Sequence, residues 1–182
     1  MNRAELGAAI VSVSALTGHF VLRSGVTATE YFDKYRFEAD PKLLAAIAEH
    51  LEALIPSSTD ALAGLELGGV PLASALSLRS GLPAVFVRKQ AKDYGTRQLA
   101  EGGDITGKRL LIVEDVVTSG GQVVASSLDL RKLGAVVTDA ICVIDREAGG
   151  AAALSSEGIT LHSLFTKGEL SSKPTSGRVA QR

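Results

Sequence analysis

Apolar residues recur at helical spacing near the N-terminus of the chain. Leu6 and Ile10 lie four positions apart within a pattern that predicts an amphipathic helix over residues 3 to about 16. Two short runs rich in aromatic and β-branched residues follow, at 20–25 and 30–33, and they predict a pair of strands. We expect these strands to form a small hairpin-like hood outside the main sheet.

The chain from residue 40 to 164 alternates helical with β-rich patterns. A helix is predicted to start at the capping acid Asp40, with Pro41 at its first position, and to end before Pro56. Alternation of this kind is typical of a parallel α/β sheet with right-handed crossovers. The predicted strands are 61–65, 84–87, 109–113, 136–144 and 160–164, and the predicted helices are 70–78, 122–133 and 148–156.

Two segments depart from this alternation. Residues 88–108 are polar and without a clear period, which indicates either a mobile active-site loop or a tolerated surface insertion. Residues 171–182 are rich in Ser, Lys, Pro and Gly and are expected to form a flexible C-terminal tail. The sequence therefore predicts one α/β domain over 1–170, a parallel sheet flanked by helices, with the hood at about 1–38.

Composition narrows the classes of function. The 182 residues include 19 basic and 20 acidic side chains, a net charge of -1 that argues against nucleic-acid or polybasic membrane binding. The single cysteine, Cys142, lies in an apolar run and is expected to be a buried core residue in a reducing cytoplasm. The sequence shows no histidines at metal-ligand spacing and no nucleophile elbow. It also lacks an apolar run long enough to span a membrane. We expect a cytoplasmic protein with a small-molecule partner.

The most informative stretch is the apolar run 110–113, which is followed by Glu114 and Asp115 and then by a turn rich in hydroxyls and glycines. Such a turn, at the carboxyl end of a buried strand and the start of a helix, suits a phosphate. The acids would repel a bare phosphate, so ribose hydroxyls or a divalent cation are implied beside it. The alternative is an ordinary loop whose acids cap the next helix.

Three further features carry candidate chemistry. Gly68–Gly69 puts glycines at a second helix start, where they make either a second anion site or a tight turn. The loop after the 84–87 strand is cationic, either closing over a polyanion or simply solvated. Arg146 follows the strand that contains Cys142, where its planar fork matches a carboxylate or imide edge, unless it pairs with its own neighbours. The loop cations are Arg88, Lys89, Lys92 and Arg97.

The segment 113–121 resembles the phosphoribosyl diphosphate (PRPP) binding motif of type I phosphoribosyltransferases. Three further segments resemble those of the orotate phosphoribosyltransferases in that family. Residues 88–95 resemble the catalytic loop, 145–147 the segment with the orotate-binding arginine, and 20–32 the hood. The resemblance covers about residues 20 to 170 and implies the type I phosphoribosyltransferase fold.

The resemblance implies transfer of ribose 5-phosphate from PRPP to orotate in pyrimidine biosynthesis, with Mg²⁺ accompanying the diphosphate. It implies catalytic roles for Lys92, Lys89, Arg88 and Asp115. It implies a homodimer in which the loop 88–103 is shared between subunits. The implied PRPP-binding residues are Arg88, Lys89, Lys92, Tyr94, Gly68, Gly69, Glu114, Asp115, Val116, Val117, Thr118, Ser119, Gly120, Gly121 and Gln122. The implied orotate-binding residues are Thr118, Arg146, Tyr31 and Phe32.

The chain departs from the family pattern at three positions. Tyr94 stands where many members have histidine, Gly68 where some have lysine, and Arg23 where lysine is often seen. A phosphoribosyltransferase for another nucleobase remains the nearest alternative. A non-catalytic regulator with the same fold is a second one, which the near-zero net charge and the loop cations disfavour.

Overall fold

The computed structural model describes residues 1–21, 25–90 and 98–171, which form eight strands and seven helices. The strands are β1 Ala15–Val21, β2 Thr27–Phe32, β3 Ala61–Leu65, β4 Ala84–Val87, β5 Ala100–Glu101, β6 Arg109–Val117, β7 Val136–Asp145 and β8 Thr160–Thr166. The helices are α1 Arg3–Ser14, α2 Tyr35–Ala39, α3 Pro41–Glu52, α4 Gly69–Ser80, α5 Gly121–Lys132, α6 Gly150–Ser156 and α7 Lys167–Ser171.

Six strands form the central sheet, in the order β5-β4-β3-β6-β7-β8. Five of them run parallel, and the two-residue strand β5 pairs antiparallel with β4 at one edge. Helices connect β3 to β4, β6 to β7 and β7 to β8, as the alternating pattern predicts. The predicted α/β class is confirmed.

Alternating side chains of β6 fill the two apolar layers on either face of the sheet. Leu111 and Val113 pack with α1, α2, α3 and α4, whereas Leu110 and Ile112 pack on the other face with α5 and α6. A strand covered on both faces reads as a continuous apolar run, which is why this segment was recognisable in the sequence. Cys142 is fully buried in the second layer, as predicted, and burial raises the pKa of its thiol.

The hood is the antiparallel pair β1 and β2, and it begins earlier than the sequence pattern indicates. The expected end of the first helix near Leu16 is wrong, because α1 ends at Ser14 and Leu16 pairs with Tyr31 in the hairpin. Pairing with β2 overrides the helical spacing there. Stacking of Phe20 on Tyr31, with ring centroids 5.4 Å apart, adds to the hairpin.

Strand β6 continues four residues beyond its predicted end at residue 113. Glu114 and Asp115 are therefore strand residues opposite β7, and the loop begins only after Val117. The short elements α2, β5 and α7 were not predicted, since two to five residues carry no measurable period. None of the helices in the described ranges is long and apolar enough to cross a bilayer.

Candidate active site

The predicted site lies where the connections of the sheet reverse direction. Strand β3 leads through α4 to β4 on one side, and β6 leads through α5 to β7 on the other. Neighbouring parallel strands whose helices leave in opposite directions open a crevice at their carboxyl ends, where ligands bind in open α/β sheets. We call this gap between the ends of β3 and β6 the switch crevice. Its loops are 66–68 and 118–120.

The loop 118–120 has the geometry of an anion site. Thr118 and Ser119 are exposed, and Gly120 adopts φ 77°, a left-handed conformation that suits glycine. A Cβ at Gly120 would also crowd Leu154 at the end of α6. No side chain caps the start of α5, so its first backbone N–H groups remain available to an anion.

Close packing accounts for both glycines of the second turn. A Cβ at Gly68 would overlap the carboxylate of Asp115, and one at Gly69 would overlap the carbonyl oxygen of Val113. The start of α4 consequently lies directly on β6. This packing is what the tight-turn alternative requires, and a role for Gly68 and Gly69 in holding an anion stays a prediction.

Behind Gly68 lies a cluster of one ammonium and three carboxyl groups, which we call the Lys34 cluster: Lys34, Glu38, Glu114 and Asp115. The ammonium of Lys34 donates a hydrogen bond to Asp115 Oδ1 at 2.9 Å and lies 2.6 Å from Oδ2. Asp115 has no exposed surface, and Glu38 and Glu114 are 7% and 8% exposed. The acid predicted to meet a ribose hydroxyl is therefore covered by a lysine side chain in this arrangement.

The buried carboxyl groups of the Lys34 cluster do not share one charge state. Burial, followed by the hydrogen bond and charge of Asp115, raises the pKa of Glu38 and of Glu114 to about 9. Burial alone would raise the pKa of Asp115, but hydrogen bonds from Glu114, Glu38 and Lys34 outweigh it and the pKa is lowered. At neutral pH, Asp115 is ionised and the two glutamic acids hold their protons.

Lys34 also keeps its charge. Burial would lower the pKa of its ammonium, but the hydrogen bond and charge of Asp115 outweigh that effect and the pKa is raised. Sequence reasoning missed Lys34 and Glu38. Two consecutive acids after an apolar run were a signal that a cation must lie nearby, because a buried charge needs a partner. A weaker signal was the spacing of Lys34 and Glu38, which are four residues apart and can therefore lie on one side of a helix.

A cavity of about 1070 Å³, which we call the hood cavity, opens between α1, the hairpin and the ends of β7 and β8. Three of the four predicted orotate-binding residues line it: Tyr31, Phe32 and Arg146. Thr118 is not among its lining residues. Arg146 adjoins the switch crevice, because its backbone N–H donates to the carbonyl oxygen of Val117 at 2.8 Å.

Arg88 and Lys89 follow β4 at the same edge of the sheet. The guanidinium of Arg88 forms an ion pair with Glu101, Nε to Oε1 3.4 Å. Lys89 is exposed, and its backbone N–H donates to Glu66 in the loop 66–68 at 3.0 Å. The predicted residues Lys92 and Tyr94, and the departure at Arg23, lie outside the described residues.

The carboxyl groups of the described part of the chain do not form a metal site. No group of three or more His, Cys, Asp or Glu side chains there has an arrangement that could hold a metal ion. The carboxylate of Asp115 already carries the ammonium of Lys34. A divalent cation in this site would therefore depend on oxygen ligands supplied by the substrate and by water.

Comparison with known proteins agrees with this geometry. Residues 35–157 match the family model described as the phosphoribosyl transferase domain. The chain is 49% identical to an orotate phosphoribosyltransferase of Nocardioides sp. over 174 residues, which cover 96% of this chain and 97% of the relative. The aligned region, 96% of the chain, extends well beyond the PRPP motif.

Solved structures give the same result. The orotate phosphoribosyltransferase of Mycobacterium tuberculosis H37Rv superposes with a TM-score of 0.82 at 31% identity, covering 93% of this chain and 99% of that chain. The structure of the same enzyme in complex with PRPP has a TM-score of 0.80 at 29% identity, covering 92% and 98%. The chain belongs to the phosphoribosyltransferase family and, within it, to the orotate phosphoribosyltransferases.

Proposed function

We propose that this chain transfers the ribose 5-phosphate unit of PRPP to N1 of orotate, releasing pyrophosphate and forming orotidine 5'-monophosphate for pyrimidine biosynthesis. One observation carries the assignment of both substrates to one site. Tyr31, Phe32 and Arg146 line a cavity that adjoins the anion-binding loop 118–120, through the 2.8 Å bond from Arg146 N–H to Val117. Acceptor and donor would therefore meet at the carboxyl ends of β6 and β7.

The donor would bind along the switch crevice. Residues 117–121 would hold the 5'-phosphate with exposed hydroxyls and the uncapped backbone N–H groups of α5. Glu114 and Asp115 would serve the ribose, and the loop 66–68 the diphosphate. Lys89, Lys92 and Arg88 would add cationic contacts, with Tyr94 in the same loop.

The acceptor would occupy the hood cavity. A guanidinium offers a planar set of donors that matches a carboxylate or imide edge, so Arg146 is suited to an acidic pyrimidine. The backbone of Tyr31 and Phe32, at the end of β2, would complete the recognition of the ring. Thr118 would contact orotate from the donor side, since it directly follows Val117.

Charge separation explains which groups promote the reaction. Breaking the bond at the anomeric carbon builds positive charge on the sugar and negative charge on the departing pyrophosphate. Fixed cations at the leaving group stabilise that charge, and the loops position the two reactants. The mechanism needs no protein nucleophile, because the nitrogen N1 of orotate attacks the sugar carbon, the pyrophosphate leaves with the bonding electrons, and the N1 proton passes to the pyrophosphate or to water.

Mg²⁺ would enter the site with PRPP. The described carboxyl groups offer no preformed ligand set, and Asp115 is neutralised by Lys34. The ion would supply charge neutralisation at the diphosphate, held by phosphate oxygens and water. The chain's own contribution is to orient the diphosphate and the ribose.

The assembly we propose is a homodimer that shares the loop 88–103, in the cytoplasm. The resemblance of residues 88–95 to the family's catalytic loop supports a shared loop. The single cysteine is buried and has no second cysteine in this chain to pair with, which favours a reducing compartment. Light scattering of the purified protein measures the mass of the assembly.

The decisive experiment is an absorbance assay of orotate depletion with PRPP and magnesium. We expect turnover that requires both substrates, that stops when the metal is chelated, and that exceeds the rate with uracil or adenine. Faster turnover with either of those bases would mean that this base, and not orotate, is the acceptor. Nucleic-acid binding that weakens with salt, without any turnover, would favour the regulator instead.

A further inference from the structure

Lys34 joins the hood to the switch crevice. It follows β2 after Asp33, and its ammonium reaches across to Asp115, 2.9 Å from Oδ1 and 2.6 Å from Oδ2. The side chain of Lys34 is 33% exposed, whereas that of Asp115 is not exposed at all. In this arrangement the lysine is therefore the member of the pair that is accessible from the crevice.

The ammonium lies beside the loop 66–68. Oδ2 of Asp115 is the atom that contacts Lys34 at 2.6 Å, and it is also the atom that a Cβ at Gly68 would overlap. The loop itself consists of Glu66, Leu67 and Gly68 and carries no cation. Any positive side chain at this loop must come from another element, and Lys34 supplies one.

The Lys34 cluster does not repel an anion, despite its three carboxyl groups. Glu38 and Glu114, with pKa values raised to about 9 by burial and by Asp115, are neutral at pH 7. The remaining charges are one carboxylate and one ammonium, which offset each other, and the ring of Tyr35 packs beside Lys34 with its centroid 5.3 Å from the ammonium. The cluster therefore presents to an incoming diphosphate one ammonium whose charge is offset by a single buried carboxylate, that of Asp115.

We propose that Lys34 is a further donor-binding residue, whose ammonium contacts the diphosphate of PRPP at the loop 66–68, and that Asp115 is the positioning residue that holds it there. The inference rests on the proposed function, because it takes PRPP as the ligand. Lys34 lies two residues after Phe32, so the hood that lines the acceptor cavity also delivers a cation to the donor.

The test compares Lys34→Met, Lys34→Arg and the control Lys42→Met, at an exposed lysine in the first turn of α3. Calorimetry with magnesium pyrophosphate measures anion binding without any turnover. We expect Lys34→Met to weaken pyrophosphate binding about 10- to 100-fold, the range for one charge-assisted hydrogen bond. Lys34→Arg should stay within about fivefold of the parent and Lys42→Met within about twofold, because Arg keeps the charge and Lys42 is remote.

Steady-state kinetics separates a donor contact from a structural role. Lys34→Met should raise KM for PRPP by a similar factor and change KM for orotate less than about threefold. Loss of a purely structural ion pair would lower the melting temperature and leave both constants and pyrophosphate binding unchanged. A folded Lys34→Met variant that binds pyrophosphate within about twofold of the parent overturns the proposal.

The two proposals fail in different ways. If the parent protein binds magnesium pyrophosphate but does not consume orotate, the proposed acceptor is wrong and the effect of Lys34→Met on pyrophosphate binding still tests the present inference. If the parent is active and Lys34→Met matches it in KM for PRPP, only the role of Lys34 is wrong.

Discussion

Arg146 is tied by its backbone, not by its side chain, to the last residue of β6. Its N–H donates to the carbonyl oxygen of Val117 at 2.8 Å, at the point where β7 ends beside β6. The guanidinium is left to line the hood cavity. The backbone positions donor and acceptor segments against each other, so the side chain can be changed without removing that link.

Replacement of Arg146 should therefore affect the acceptor selectively. For Arg146→Ala we expect KM for orotate to rise by at least about 10- to 100-fold, as for loss of a hydrogen-bonded charge partner, with KM for PRPP within about threefold. Arg79→Ala, at an exposed arginine paired with Glu52, is the matched control and should leave both constants unchanged. A parallel rise in the two KM values would contradict separate donor and acceptor roles.

Lys92 should act on the rate. Removing one donor aimed at developing charge in the transition state costs on the order of 10² to 10³ in rate, and we expect Lys92→Ala to fall in that range in kcat. Orotate depletion under saturating substrates measures it. The control is Lys132→Ala, at a lysine near the C-terminus of α5 that pairs with Asp129. A loss of less than about threefold would remove Lys92 from the catalytic residues.

The strands of the sheet interior were predictable because a strand buried on both faces has a continuous apolar sequence. The bounds of β3 and β4 match the predictions, 61–65 and 84–87, since continuous apolar runs bounded by polar residues leave little freedom. The hairpin was placed too late, because its pairing depends on a partner strand and not on its own pattern.

The end of β6 could not be predicted from the local sequence, because it depends on residues far away in the chain. Glu114 and Asp115 signal a loop when read alone, yet they lie in the strand because Lys34 and Glu38 accompany them there. These partners are about 80 residues away in the chain, Lys34 just before a helix of five residues and Glu38 within it. The sequence identified the acids and the turn after them, and only the fold revealed what covers them.

Gly68 is expected to tolerate no side chain. In Gly68→Ala the new Cβ would overlap Oδ2 of Asp115, and overpacking of this kind costs about 1 to 3 kcal/mol. Chemical denaturation should show that loss of stability. We also expect this variant to bind PRPP more weakly. In Gly121→Ala the nearest atom to the new Cβ is Ser119 Oγ at 3.9 Å, so its stability should be retained or increased. Equal stability of the two variants would contradict the close contact at Gly68.

The protonated state of Glu38 makes stability depend on pH in a defined direction. Burial and the neighbouring Asp115 raise the pKa of Glu38 from 4.5 to about 9. Between these values the folded protein holds a proton that the unfolded chain has lost, so the free energy of unfolding falls as the pH rises. Below pH 4.5 both states are protonated, and above about 9 both are ionised, so the pH dependence that Glu38 contributes is confined to this window.

Glu38→Gln removes this proton and keeps a hydrogen-bond donor in its place. We expect the variant to be about as stable as the parent just below pH 4.5, where most unfolded chains still hold the proton, and to lose stability less steeply toward pH 9, by at most about 1.4 kcal/mol per pH unit. Urea denaturation at intervals of one pH unit measures the two slopes. Glu114, Asp115, Lys34 and Tyr35 are common to both proteins, so the difference isolates Glu38. Parallel curves would mean that Glu38 is ionised in the folded protein, and the charge balance described for the Lys34 cluster would then be wrong.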